Sequence, residues 1–249
     1  MRFRADCKPS ALDAAKTFMR RAVDLEDAIR REDVRLTAID ELVRRLREQA
    51  IGDVSEPALV EWVGARLLDW LQSSSDDIIP SVVAQMAAAA EFALDATALA
   101  SLQARTVPET WQAALGQYAQ VGGLMRLFLR TMYSATQDEF AERDIKELGI
   151  YRGVNGLPAN DAPTWVQPDT WKRGRVDHLS MQPLTCFTSE ESIAEGFAAH
   201  RAPGAVGLVL RGTIPVIRIL STAWTGFGAL HEHEFVILAT PGNVQAVQR

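Results

Sequence analysis

Cysteine is scarce in this chain, which has only Cys7 and Cys186 among 249 residues. A scaffold held together by disulfides needs more cysteines, so the sequence excludes one and fits a reducing compartment. No apolar run is long enough to cross a bilayer, because Glu91 and Asp95 interrupt the alanine-rich stretch from Met86 to Ala96. The N-terminal residues also lack the apolar core of a signal peptide, although specialised export would leave no such mark. We therefore expect no membrane contact and a cytoplasmic location, in the producing cell or in a target cell.

A continuous basic surface is missing as well. The formal net charge is −6, and residues 51–100 carry acidic side chains against a single basic one, Arg66. Binding to a phosphate backbone selects clustered lysine and arginine. The charge distribution therefore does not favour a nucleic-acid partner, although it does not exclude one.

Helical periodicity dominates the chain as far as about residue 147. Apolar side chains recur there at spacings of three and four residues, behind residues that commonly start helices. The expected starts include Ser10, Ser55, Pro80 and Pro108. Gly122 and Gly123 predict a break between two helices, and Thr136 with Glu139 predicts a capping box that opens a last helix before Gly149.

From Ile150 onward the pattern changes to short apolar runs separated by proline and glycine, which is typical of strands and turns. The expected strands cover residues 150–153, 206–210, 216–220 and 231–238. A single helix is expected between Glu190 and about His200. The sequence thus predicts an α+β protein with a helical domain over residues 1–107 and a β-rich domain over residues 108–249.

Two carboxylates stand out in the last expected strand, His231-Glu232-His233-Glu234-Phe235-Val236-Ile237-Leu238. Alternation along a strand places Glu232 and Glu234 on one face. Two carboxylates that lead into a buried run are unfavourable unless they are paired, solvated or used. A glycine-containing loop with Trp224 and Phe227 precedes them, and such loops often present a substrate.

Three motifs of the β-rich part follow one another in an order that is typical of a known enzyme family. They are Tyr151-Arg152-Gly153, then the hydroxyl-rich run 184–189 followed by a helix with Ala194 and Phe197, then Glu232-His233-Glu234. This order resembles the mono-ADP-ribosyltransferases of the Arg–Ser–Glu class, in particular the cholera-toxin-like enzymes with a Glu-x-Glu pair. The resemblance covers residues 148–238, less than half of the chain.

The resemblance implies a fold and a site. The fold would be two small sheets around an NAD cleft, with flanking helices. Glu234 would stabilise the cationic sugar that forms when nicotinamide leaves, and Glu232 would position the acceptor. Arg152 would bind the NAD phosphates. The residues expected to bind NAD, as substrate and without a metal, are Arg152, Gly153, Thr185, Cys186, Thr188 and Phe197.

The resemblance further implies transfer of ADP-ribose from NAD to a macromolecule, most simply an arginine in a protein. Such enzymes are often toxins or effectors, whose helical part could bind an antitoxin, a chaperone or the target. Nucleic acid as acceptor, hydrolysis of NAD alone, and a catalytically dead binding module stay open. The last alternative draws on Cys186, which stands where the family usually has a serine.

Simpler interpretations of the same residues also remain. Glu232 and Glu234 could form the solvated face of an edge strand, and Thr188 with Glu191 could be only a helix capping box. His231 and His233 make a poor zinc site, because no third ligand is evident. A hydrolase using Cys186 with His178 or His200 is possible, but no nucleophile motif supports it.

Overall fold

The computed structural model describes residues 38–49, 54–72, 78–158, 181–199, 205–239 and 244–248. Within these ranges the helices are 38–48 (α1), Glu56–Gln72 (α2), Ile79–Glu91 (α3), Ala96–Arg105 (α4), Pro108–Glu142 (α5) and Glu191–Ala199 (α6). The strands are Glu147–Pro158 (β1), Leu184–Thr188 (β2), Ala205–Pro215 (β3), Ile219–Thr222 (β4), Glu234–Leu238 (β5) and Val244–Gln248 (β6). Short 3₁₀ turns cover Val216–Arg218 and Leu230–Glu232. The predicted α+β class is confirmed.

The helix starts show which local signals were sufficient. Pro80 and Pro108 lie in the first turns of α3 and α5, as predicted. The start of α4 was not foreseen, although Asp95 caps it by accepting a 2.7 Å hydrogen bond from the Thr97 amide. The helix expected from Ser10 lies outside the described residues.

Helix α5 is longer than the sequence suggested. It runs without interruption for 35 residues, so the break predicted at Gly122 and Gly123 is wrong. The capping box predicted at Thr136 is wrong too, since that hydroxyl donates to the Met132 carbonyl inside the helix, 2.9 Å away. Gly149 lies in β1 rather than at a helix end. Packing explains the continuity, because a buried face outweighs a cost of about 1 kcal/mol for each glycine in a helix.

All neighbouring strands of the sheet are antiparallel, in the order β4-β5-β2-β1-β3-β6. Long registers join β1 to β3 and β2 to β5, whereas β1 and β2 are joined only by the pair Tyr151–Thr188. The expected two separate sheets are therefore corrected to one sheet made of two three-stranded halves. In the described part of the chain, the pair Tyr151–Thr188 is what connects the two halves.

Two glycines let helix α6 lie directly on the sheet. A Cβ added to Gly153 in β1 would overlap the Ala194 carbonyl oxygen, and one added to Gly207 in β3 would overlap the Ala198 carbonyl oxygen. Both carbonyls belong to α6. Such close backbone approach is possible only where no side chain intervenes. Gly153 therefore determines how near α6 comes to the junction between the two halves.

We expect Gly153→Ala to lower the free energy of unfolding by about 1–3 kcal/mol, the usual cost of overpacking. The matched control is Gly149→Ala in the same strand, because an added Cβ at Gly149 meets nothing within 4 Å. Urea denaturation followed by circular dichroism measures both. Equal stability of the two variants would contradict the close packing of α6 on β1.

Helices and sheet share one hydrophobic core. Its buried residues include Leu42 of α1, Leu59 of α2, Phe128 of α5, and Leu184 and Val236 of the strands. The domain boundary at residues 107 and 108 remains a prediction from sequence. No helix in the described ranges combines the length and apolar character needed to cross a membrane.

Candidate functional site

A cavity of about 260 Å³ opens where the two halves of the sheet meet. Its lining residues are Tyr151, Arg152, Gly153, Cys186, Phe187, Thr188, Phe197, Glu232 and Glu234. The structure thus brings together every predicted site residue except Thr185. The Thr185 hydroxyl donates instead to the Gln182 carbonyl, 3.3 Å away.

The register explains how three strands build this cavity. Thr188 of β2 is paired with Tyr151 of β1 on one side and with Glu234 of β5 on the other. Directly opposed residues of antiparallel strands project to the same face of a sheet. The Thr188 hydroxyl accepts a 3.0 Å hydrogen bond from the Glu190 amide, two residues on rather than the three of the predicted capping box. Thr188 therefore links the row of cavity residues to the start of α6.

Arg152 is fixed across the junction of the two halves. Its Nη1 donates to the Cys186 carbonyl at 2.5 Å, and its guanidinium carbon lies 5.9 Å from the centre of the Phe187 ring. A guanidinium has five donor hydrogens, so this bond leaves several for a ligand. The contact with β2 uses the backbone of Cys186 rather than its thiol. A cysteine in place of serine therefore does not disturb the anchoring of Arg152.

Glu234 is buried, with 6% of its surface exposed, and the loop before it holds it. Its carboxylate Oε2 accepts a 2.5 Å hydrogen bond from the Ala229 amide, whose own carbonyl accepts from the Glu234 amide at 3.2 Å. The Ala223 amide donates to the Glu234 carbonyl, also at 3.2 Å. Both ends of the segment 223–229 therefore close on Glu234 and set the direction of its side chain.

Glu232 reaches the same cavity by a different route from the one predicted. It ends the 3₁₀ turn Leu230–Glu232, and β5 begins only at Glu234. His233 between them adopts a left-handed conformation with φ of 47°. The prediction that both glutamates share one face of a strand is therefore wrong. A turn and one left-handed residue bring the two carboxylates to the cavity instead, and sequence alternation cannot show this.

Burial raises the pKa of the Glu232 carboxyl, and the negative charge of Glu234 raises it further. His231 opposes both effects, with its Nε2 3.3 Å from Glu232 Oε1. Glu232 is therefore a better proton acceptor than an ordinary surface carboxylate.

Among the described residues, no group of three or more histidine, cysteine, aspartate or glutamate side chains is arranged to hold a metal ion.

The raised pKa of Glu232 predicts a pH-dependent effect on stability. The unfolded chain ionises this group near the ordinary pKa of 4.5, whereas the folded chain resists ionisation. The folded state is therefore penalised increasingly as the pH rises from that value through the raised pKa. We expect Glu232→Gln to have a higher Tm than the wild-type protein at about pH 7, and no such advantage below about pH 4. Calorimetry at both pH values, with the exposed Glu142→Gln as control, measures this; an equal gain at both would contradict it.

Two cavity residues were not assigned from sequence. Tyr151 shares a face of the sheet with Thr188, its paired residue, whereas alternation places Phe187 on the other face, together with Arg152. Side chains from both faces therefore line the cavity at the junction of the two halves, and a pattern confined to one face does not predict this. His178 and His200, the partners considered for Cys186, lie outside the described residues.

Comparison of the chain with models of known protein families, with curated proteins and with solved structures gave no match.

Proposed function

We propose that this protein is a mono-ADP-ribosyltransferase, which moves ADP-ribose from NAD to an arginine side chain of a protein. One observation carries the proposal: Arg152 of β1 lines a single cavity together with Glu232 and Glu234, which lie far from it in sequence. The same observation supports an ADP-ribosyltransferase-like core, in which the two halves of the sheet flank an NAD cleft. A solvated edge strand would not bury Glu234 beside an arginine-lined cavity.

Glu234 would act on the sugar. The bond between nicotinamide and ribose breaks through a transition state with cationic, oxocarbenium character, and a nearby carboxylate stabilises that charge. The Ala229 amide fixes Oε2 of Glu234, which aims the group before substrate arrives. Such preorganisation is what makes a buried charge effective in catalysis.

Arg152 would bind the phosphates of NAD. A guanidinium pairs with phosphate through parallel, charge-assisted hydrogen bonds. The cavity of about 260 Å³ is small beside usual ligand pockets, which span about 300–1,000 Å³. It therefore suits the nicotinamide and its ribose, while the adenosine end would lie outside it.

Glu232 would serve the acceptor. A guanidinium must lose a proton as its nitrogen bonds to the ribose carbon that nicotinamide leaves. The raised pKa of Glu232 suits it to accept that proton. In the balanced step the C–N bond to nicotinamide breaks, a C–N bond to arginine forms, and the proton moves to Glu232.

We place this activity in a cytoplasm, where the protein would act as a toxin or effector. Binding of an antitoxin or a chaperone to the helices is a further part of the proposal and rests on analogy between folds alone.

The test is incubation of the purified protein with labelled NAD and a cell lysate, beside Glu234→Gln. Label is followed separately in protein and in nucleic acid. We expect label in protein with the wild type only, removed by treatment specific for arginine linkages. Label in nucleic acid would change the acceptor class, and free nicotinamide without labelled macromolecule would indicate a hydrolase. The absence of both labelled macromolecule and released nicotinamide would refute the proposal.

A further inference from the structure

We propose that helices α2 and α5 are a positioning element of the catalytic site, acting through Phe227 on the loop that aims Glu234. We call residues 223–229 the Glu234 loop. Naming Glu234 as the catalytic group rests on the proposed function, whereas the contacts that hold the loop do not depend on it. In this inference the helices are part of the active enzyme and not only a surface for partners.

The side chain of Phe227 projects from the Glu234 loop into the core between α2 and α5. It is 1% exposed and stacks on Trp70 of α2, with ring centres 4.5 Å apart and planes 7° from parallel. It also meets the edge of Phe128 of α5 at 5.8 Å. Aromatic pairs in these geometries contribute beyond simple burial. An aromatic side chain from a loop is thus held from two sides.

Helix α5 also binds the loop directly. The hydroxyls of Thr136 and Thr225 lie 2.6 Å apart, and the Phe227 amide donates to the Met132 sulfur at 3.4 Å. A Cβ added to Gly226 would come within 2.5 Å of that same sulfur. These contacts fix the loop along its length, so its position follows that of α5.

The far end of the loop transmits this position to Glu234. Gly228 has a φ of +127°, which side chains disfavour, and a Cβ added there would come within 2.9 Å of the Glu234 carbonyl oxygen. Ala229, two residues after Phe227, donates to the Glu234 carboxylate. A shift of Phe227 would therefore move the donor that aims the carboxylate.

Trp70 contributes through its ring alone. Its indole nitrogen is buried and has no hydrogen-bond partner. Replacement by phenylalanine keeps a ring against Phe227, whereas alanine leaves a cavity. The pair Trp70→Phe and Trp70→Ala therefore separates ring packing from other effects of changing this residue.

The experiment compares Phe227→Ala, Trp70→Ala and Trp70→Phe with Leu102→Ala, a control that opens the same core at a fully buried position of α4. Each full-length variant is assayed for nicotinamide release at a temperature where circular dichroism shows it folded. Hydrogen exchange is measured for a peptide containing Ala229.

We expect Phe227→Ala and Trp70→Ala to lower kcat by about 30–100-fold, since a misplacement of about 1 Å can cost that much. KM for NAD should stay within about twofold, because Arg152 is untouched, and exchange at Ala229 should accelerate. Trp70→Phe should keep most of kcat. Leu102→Ala should lose stability while keeping both kcat and protection of Ala229.

Equal loss of kcat in Leu102→Ala and Phe227→Ala would overturn the inference, as would unchanged exchange at Ala229 in Phe227→Ala. Phe227→Leu, which keeps an apolar side chain but no ring, replaces Phe227→Ala should the latter not fold, and the same outcomes apply. A wild-type protein that releases no nicotinamide would refute the proposed function, while exchange at Ala229 would still decide whether the helices hold the loop.

Discussion

Glu234→Gln should lower kcat for nicotinamide release by about a thousandfold while leaving the fold intact. The change removes the negative charge that would face the cationic sugar, and loss of a preorganised electrostatic group typically costs about 10²–10³ in rate. The amide oxygen of glutamine can still accept from the Ala229 amide, which is the hydrogen bond that holds Glu234 in place. The loss should therefore appear in kcat and not in stability.

Steady-state release of nicotinamide at saturating NAD measures this, together with Tm and NAD affinity. Glu142→Gln, at the exposed end of α5, is the matched control for the same chemical change. Retention of more than a tenth of wild-type kcat by Glu234→Gln would show that this carboxylate does not stabilise the reacting sugar.

Arg152→Ala should weaken NAD binding by about 10–100-fold, because charge-assisted hydrogen bonds to phosphate contribute about 1.5–3 kcal/mol each. The variant should also lose some stability, since the Cys186 carbonyl would lose its donor. Arg152→Lys keeps the charge without the planar fork, so it should recover part of the affinity. Isothermal titration calorimetry with NAD measures the affinity of the wild type and of both variants. If Arg152→Ala bound NAD with unchanged affinity, the phosphates would not bind on this side of the cavity.

Local sequence patterns predicted those parts of the fold that local chemistry determines. Proline in the first turn identified the starts of α3 and α5. The break predicted at Gly122 and Gly123 failed because packing along α5 overrides the weak helix propensity of glycine. Propensity acts within a few residues, whereas the buried face of α5 depends on elements far away in sequence.

The candidate site was predictable as a set of residues but not as a geometry. Arg152, Cys186 and Glu234 were assigned from their motifs, and the structure places all three on one cavity. The route of Glu232 was not predictable, because it depends on a left-handed His233 that alternation does not reveal. The stacking of Phe227 on Trp70 was not predictable either, because the two rings are far apart in sequence and neither local pattern shows that they meet.

The most direct test of the account is a crystal structure of Glu234→Gln grown with NAD, a variant that should bind the dinucleotide without cleaving it. We expect the nicotinamide ribose to lie beside residue 234, the phosphates to bind Arg152, and the Glu232 carboxylate to be open to an incoming acceptor. NAD bound away from this cavity, or no NAD at saturating concentration, would contradict it.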